Sequence, residues 1–443
     1  MLRLILAAAA LLLAAPPAPA QSPDCAAAQG CVTGLSAADV FAVAERFAAA
    51  REFEQAATLL TGLTRDPNPE YRAEARFRLA IIREAQGDRG AAIELLKALL
   101  DEKPNAPRPR LELARLLALE GDESAARREL RRAGATGLPE DVARIVDRFA
   151  LALRSRRPIG GAVEIALAPD SNINRATSLQ TVDTVVAPLL LSPDARAQSG
   201  LGISLSGQAF ARVELSPKTL FLARLSSRAD LYGKSRFNDV IVTAAAGPEF
   251  QLGGARLRPA AVASRRWFGG ARFADSYGGS LNVLKPLDRT SQIEGELTIL
   301  DSRFPGIPIQ NGLLTDLNLL VDKAFSPRFS GRLGIRGTRQ NAREAFLANR
   351  SLALDLLASR AFGKQLVFLQ ATATRLWGDG RDPLFGVTRE DRRLDLTAGV
   401  ILRRFTLRGL APLVRVTRSE SDSTVPIFDF RRTRVEFALS REF

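Results

Sequence analysis

From about residue 160 onward, apolar and polar positions alternate with a period of two. Leu201, Ile203 and Leu205 alternate with Gly202, Ser204 and Ser206; Phe221, Ala223 and Leu225 alternate with Leu222, Arg224 and Ser226. Leu313, Leu317 and Leu319 share a face opposite Asp316, Asn318 and Asp322. Leu394, Leu396, Val400 and Leu402 oppose Arg393, Asp395, Thr397 and Arg403. Successive side chains of a strand point to opposite faces, so each segment reads as a β-strand with one apolar and one polar side. Turn clusters punctuate the stretch about every 36 to 40 residues: Ser216-Pro217-Lys218, Gly253-Gly254, Leu287-Asp288-Arg289, Ser326-Pro327-Arg328, Phe362-Gly363-Lys364 and Arg404-Phe405.

That period accommodates two strands of roughly 10 to 13 residues, one tight turn and one longer loop, the accounting of a membrane-spanning hairpin. Six turns between seven hairpins predict an antiparallel barrel of about 14 strands over residues 161–443, with both of its ends on the tight-turn side. The longer connections then fall at 169–198, 232–237, 268–273, 301–310, 341–347, 377–387 and 420–426. Trp267, Phe268, Tyr277, Trp377 and Tyr232 lie near those ends, where an interfacial aromatic girdle belongs. Alternation alone does not choose between a wet lumen with an apolar exterior and a soluble barrel with the faces reversed. The choice rests on strand length, turn asymmetry and the export signal described below.

Residues 36–155 follow a different rhythm, rich in Ala, Leu, Arg and Glu at helical spacing. Ala44, Ala80 and Ala114 are each followed twelve residues later by Ala56, Ala92 and Ala126, and four residues beyond those by Leu60, Leu96 and Leu130. Gly87-Asp88 and Gly121-Asp122 mark turns between paired helices, with Arg51-Glu52 in that place in the first unit. The units repeat at 36 and then 34 residues, and Pro67, Pro69 and Pro104 fall at repeat ends. Small residues where helices cross, at this period, are the tetratricopeptide pattern. Three helix pairs and a closing helix from Pro139 to about Arg154 predict a short solenoid, and residues 156–160 form the linker to the barrel.

Residues 1–20 read as a secretory signal: Arg3 is the positive n-region, Leu4 to Leu13 the apolar run, and Ala18-Pro19-Ala20 the cleavage site. No later segment offers 18 consecutive apolar residues, so a membrane crossing requires a closed barrel. Residues 21–35 hold both cysteines, Cys25 and Cys31, which an oxidising compartment would allow to pair or would leave as two thiols. The formal charge is +14, one unit of which leaves with Arg3, and only 7 of the 62 basic residues are lysine. Nucleic acid is a poor partner for an exported chain. A positive lumen or rim facing anionic lipid or cargo, and plain Arg-rich composition, both remain.

The chain contains no histidine. That removes the usual general base and the commonest metal ligand, and with both cysteines near the N-terminus no thiolate site is formed. Glu294 and Glu296 share a strand face, a pair that acid/base glycosidase chemistry could use, but ion pairing in a lumen is the simpler reading. No phosphate- or dinucleotide-binding loop has the needed strand-to-helix context. We expect no enzyme activity, no cofactor and no metal.

A signal, a short repeat solenoid and a fourteen-strand barrel in one chain, together with Pro169, Asp170, Ser171, Asn172, Ile173 and Asn174 closing the first barrel strand, resemble the surface lipoprotein assembly modifier (Slam) family. The resemblance implies an outer-membrane protein with its repeats in the periplasm. It implies a translocon or assembly role that delivers particular lipoproteins or secreted proteins to the cell surface, with the repeats engaging that protein cargo. The last strand places Val435, Phe437, Leu439 and Phe443 on one face, a pattern similar to the signal read by the barrel assembly machinery. Outer-membrane lipid and lipopolysaccharide are the surrounding partners. Two other functions fit the same architecture: a polysaccharide-export or substrate-specific porin with a tetratricopeptide domain, and a passive structural or adhesin barrel. Locally, Asp170, Ser171, Asn172 and Asn174 are expected to bond nearby backbone and fix an ordered turn.

Overall fold

The structure, a computed structural model, describes residues 35–136, 158–216, 219–363, 365–402, 405 and 410–442. The signal, Cys25 and Cys31, the expected closing helix, Lys218, Arg403 and Phe443 lie outside the described residues.

Six helices come first: α1 (Ala37–Ala49), α2 (Phe53–Leu63), α3 (Pro69–Ala85), α4 (Arg89–Glu102), α5 (Pro107–Leu119) and α6 (Glu123–Gly134). They pack as consecutive pairs because the turns enforce it. Gly87 (φ 86°) and Gly121 (φ 94°) take the left-handed backbone that reverses the chain. Asp88 and Asp122 then cap the next helices, accepting from the Ala91 N–H (2.9 Å) and the Ala125 N–H (2.8 Å). Ser36 and Asp39 form a capping box on α1. All six register alanines are buried, none more than 2% exposed, so the helices approach closely while Leu60, Leu96 and Leu130 fill the layers between. Leu95 packs against both buried clusters, which makes the core continuous along the stack.

The second part is a closed barrel of 14 antiparallel strands. Its first strand, β1 (Ile159–Asp170), is followed by a two-stranded ribbon, β2 (Thr181–Val182) and β3 (Leu189–Leu190), set in the first long connection. The wall continues through β4 (Gly200–Ser216), β5 (Thr219–Tyr232), β6 (Asp239–Leu252), β7 (Ala255–Phe268) and β8 (Ala271–Pro286). It then runs through β9 (Ser291–Arg303), β10 (Gly312–Ala324), β11 (Phe329–Gln340) and β12 (Asn349–Phe362). The last strands are β13 (Gln365–Arg381), β14 (Thr388–Leu402), β15 (Ala411–Ser423) and β16 (Phe430–Glu442). Pairing of β1 with β16, from Ala162 opposite Glu442 to Asp170 opposite Arg434, closes the ring.

The apolar faces point out. Leu201, Ile203, Leu225, Leu313, Leu317, Leu319, Leu394 and Leu396 are all exposed, whereas Ser204, Asp230 and Asp322 on the opposite faces are buried. A barrel stabilised by an internal apolar core in water would show the reverse. No described helix is long and apolar enough to cross a membrane.

The two ends of the barrel differ. At the turn end, Gly253–Gly254 closes β6–β7, and Asp288 closes β8–β9 by accepting from the Thr290 N–H (2.6 Å) and the Ser291 N–H (2.9 Å). Those bonds, led by the Ser291 hydroxyl, hold the Asp288 carboxyl down to about 2. Two details depart from the sequence expectation. The 268–273 connection is not long: β7 and β8 meet across Gly269 (φ 60°) and Gly270 (φ 81°), which accept the positive φ values of a two-residue hairpin. The turn expected at Arg404-Phe405 falls between β14 and β15, where residues 403–404 and 406–409 lie outside the described residues. Strands also reach 17 residues in β4 and β13, extending past the length expected.

Candidate functional site

The lumen is lined by charges that meet in pairs. Asp316 accepts from Arg336 (2.7 Å), Asp322 from Arg332 (2.8 Å) and Asp395 from Arg393 (2.8 Å). Asp355 accepts from Gln370 (2.6 Å) and Thr372 (2.7 Å). Glu294 and Glu296 both accept from Asn282, at 2.8 Å and 3.5 Å, which is a wall contact rather than an acid/base arrangement. Among the described residues, no cluster of three or more His, Cys, Asp or Glu is placed to hold a metal ion.

The pairs continue along the closure seam. Arg415 bridges Glu164 (2.9 Å) and Glu436 (2.5 Å); Arg434 bridges Glu436 (3.1 Å) and Asp230 (2.7 Å); Ser204 donates to Asp230 (2.8 Å). Above them, Arg432 grips both oxygens of the buried Asp170. These residues come from β1, β4, β5, β15 and β16, so the ladder ties the first strand to the last where the ring closes. The Tyr232 hydroxyl also reaches Asp170 (3.4 Å). Tyr232 is therefore a lumen residue and not part of an outer girdle, while Tyr277 and Phe268 do lie exposed on the exterior. The reason is parity: Tyr232 shares its face of β5 with Asp230.

At the loop end, residues 171–199 fold over the mouth. Asp170 accepts from the Asn172 N–H (3.0 Å), and the Asn172 amide bonds Ala176 O (2.8 Å), the Ala176 N–H (3.1 Å) and Arg431 O (3.2 Å). Asn174 bonds Arg196 O (2.7 Å), Asp194 O (3.0 Å) and the Gln198 N–H (3.1 Å). Ser171 accepts from the Thr433 N–H (2.8 Å), and Ile173 packs with Tyr232 and Phe237. Pro169 pairs with Leu201 within the wall. Ser171, Asn172 and Asn174 thus spend their side chains on backbone, in β16 and within the loop, while Asp170 also holds Arg432 and Tyr232. Farther along, the Val185 N–H donates to Leu384 O (3.0 Å), carrying the loop across to the β13–β14 connection. Arg175, at φ 50°, lies among Arg432, Arg393 and Arg228.

At the turn end, α6 lies against the barrel. Glu123, buried at its first turn, pairs with Arg256, with Arg212 (3.3 Å) and with Arg258 (3.7 Å). Glu249 meets the same arginines, Arg258 at 2.6 Å and Arg256 at 3.5 Å. Arg127, one turn later, is buried beside them, and desolvation with Arg256 nearby disfavours its charged form. Arg131 senses Asp322 and Arg332 on the β10–β11 wall. A Cβ on Gly134 would sit 2.6 Å from the Arg289 carbonyl oxygen, so the helix end abuts the β8–β9 turn. The last repeat helix therefore runs from the β4–β7 wall toward β10 beneath the mouth. Sequence reading does not single out Glu123, Arg256 or Arg258; the Arg256-Leu257-Arg258 alternation just after a tight turn is the one available signal.

The first helices of the pairs stand side by side. Phe41 and Tyr71 meet edge to face at 6.3 Å, Arg78 reaches Glu45 (3.4 Å), and Arg108 lies 4.8 Å over the Phe77 ring. Arg115 bonds Glu84 across α3 and α5. This face carries both signs of charge beside the exposed ring of Tyr71.

Residues 83–146 match the tetratricopeptide repeat family model. No curated protein matches the chain. Among solved structures it is similar to a bacterial polysaccharide outer membrane secretin, at 11% identity over 64% of this chain and 98% of that one, with a TM-score of 0.35. It is also similar to the P. putida toluene transporter TodX, at 10% identity over 67% and 92% with a TM-score of 0.37. A mutant Rh. blastica porin aligns at 8% identity over 64% and 100% with a TM-score of 0.31. At such identity and TM-score the likeness assigns no activity to this chain.

Proposed function

We propose that this chain is an outer-membrane barrel that delivers a polypeptide cargo to the cell surface, with the helical repeats facing the periplasm and engaging that cargo. The observation that carries the reading is the seat of α6. The last repeat helix is held at the barrel mouth by Glu123 among Arg212, Arg256 and Arg258, so a ligand that displaces or rotates the repeats acts directly on the entrance. The apolar exterior supports a membrane position. The balanced lumen favours a cargo of mixed charge: a polyanionic glycan calls for a path dominated by one sign, whereas Asp316, Asp322 and Asp395 each face an arginine.

A barrel of 14 strands is narrow, so cargo passes unfolded or along the wall. The exposed Phe437 and Leu439 of β16 are available to the assembly machinery before closure. Delivery of a lipoprotein or secreted protein of the Slam kind is the specific form of this proposal. A photo-crosslinking residue placed at Tyr71 in the intact protein tests it in living cells. Adducts digested by protease support polypeptide cargo; adducts that resist protease and carry sugar overturn it in favour of glycan export.

A further inference from the structure

The helical repeats, residues 36–136, hold acidic and basic side chains in equal number, so the chain's basic excess lies elsewhere. Much of it encircles the turn end of the barrel. Lys285, Lys323, Arg360 and Arg441 are exposed near the turn-end termini of β8, β10, β12 and β16, and Arg328 sits in the β10–β11 turn. Their parity places the four strand residues on the outward face: Lys323 shares it with Leu317 and Leu319, and Arg441 with Phe437 and Leu439. Among the described residues, none of these five cations forms an ion pair.

Several cations at the loop end are paired. There Arg266 pairs with Asp239 (2.6 Å), Arg303 with Asp301 (3.1 Å), Arg339 with Asp379 (2.5 Å) and Arg272 with Asp275. Other exposed cations at this end, Arg350, Arg392 and Arg431, form no ion pair among the described residues.

The densest part of the collar joins β10, β11 and β12. Phe325 and Phe329 stack at 5.3 Å, Phe329 stands opposite Arg360 in the ladder, and the Arg360 guanidinium lies 5.2 Å from the Phe362 ring. The Ala361 N–H donates to Arg328 O (2.8 Å), which fixes the turn beside them. Lys323 follows two residues before Phe325 on the same face. Three cations thus border three exposed phenylalanine rings at the lower edge of the apolar band. Aromatic rings at the edge of the apolar band form the interfacial girdle of a membrane barrel, and the cations beside them then meet the lipid phosphates.

We propose that this patch, Lys323, Arg328 and Arg360 with Phe325, Phe329 and Phe362, binds the phosphate headgroups of anionic phospholipid in the periplasmic leaflet. It rests on the reading of the barrel as membrane-spanning. The adjacent rings and apolar wall select a lipid over a free anion, because inorganic phosphate gains nothing from them. The bound lipid anchors the barrel beside the turns that receive α6.

The full chain is mixed with phosphatidylethanolamine vesicles with and without phosphatidylglycerol, floated on a gradient, and its retained lipids are weighed by native mass spectrometry. The expected result is retention of the anionic lipid by at least about tenfold over the zwitterionic one, from three interfacial cations. K323Q/R328Q/R360Q should bring that ratio to near parity. R303Q at the opposite rim should leave it unchanged, with retained heat-modifiable migration showing that both variants fold. Equal retention of the two lipids by the wild type overturns the proposal, as does unchanged preference in the triple variant. Loss of preference in millimolar inorganic phosphate shows a free-anion site and also overturns it. Failure of the wild type to float with either vesicle overturns the membrane reading itself, a separate outcome.

Discussion

Arg51 holds a left-handed backbone (φ 63°) at the place where the later repeats use Gly87 and Gly121. Its neighbour Glu52 caps α2 without a side-chain bond, where Asp88 and Asp122 each supply one. The first repeat turn is therefore the least well made. R51G is expected to stabilise it by about 1 kcal/mol and E52D by about the same. Slower hydrogen exchange of the α2 amides, with α4 unchanged, checks this. Asp288 supplies a pH prediction. Its folded-state carboxyl is depressed to about 2 from an ordinary 3.8, so its contribution is present above the ordinary value and is lost as pH falls through about 2. Urea unfolding of wild type and D288N should differ at pH 7 and converge near pH 2. At this scale the repeat alanines were legible because their partners recur at fixed spacing. Asp170 with Arg432, and Glu123 with Arg256, were not: the members are 262 and 133 residues apart, and no local pattern links them.

The strand count could be read from turn spacing because lipid-facing alternation and turn residues are local properties. Lengths of individual connections were less legible. Gly269-Gly270 carries the same signal as Gly253-Gly254, yet the flanking Trp267 and Phe268 invite a longer loop. Tyr232 was misplaced for a related reason: position along a strand says how near the rim a ring lies, while parity says which face it takes. The loop over residues 171–199 shows how an element can be anchored by one buried carboxylate. Asp170 serves Arg432, the Asn172 N–H and Tyr232 at once. D170N removes the charge that compensates a buried guanidinium and is expected to cost roughly 3 kcal/mol at that anchor. Cleavage within 171–199 by added protease should rise in intact cells, while the barrel core resists.

At the scale of the molecule, two separate devices narrow one lumen: a loop at the loop end and a repeat helix at the turn end. The second is the more consequential, because it belongs to the part proposed to meet cargo. E123A removes the carboxylate shared by Arg212, Arg256 and Arg258, with Glu249 still beside Arg256 and Arg258, and is expected to loosen α6 by roughly 3 kcal/mol. In planar bilayers the variant should open more often than wild type; identical traces would mean that α6 does not guard the entrance.

The delivery role itself is tested most directly by comparing the surface and secreted proteins of intact cells with and without this chain, using a membrane-impermeant label and quantitative mass spectrometry. The account predicts that at least one protein falls several-fold at the surface or in the medium and accumulates in the periplasm, and that E123A changes the same protein. An unchanged surface and secreted set in the deletion strain would contradict it.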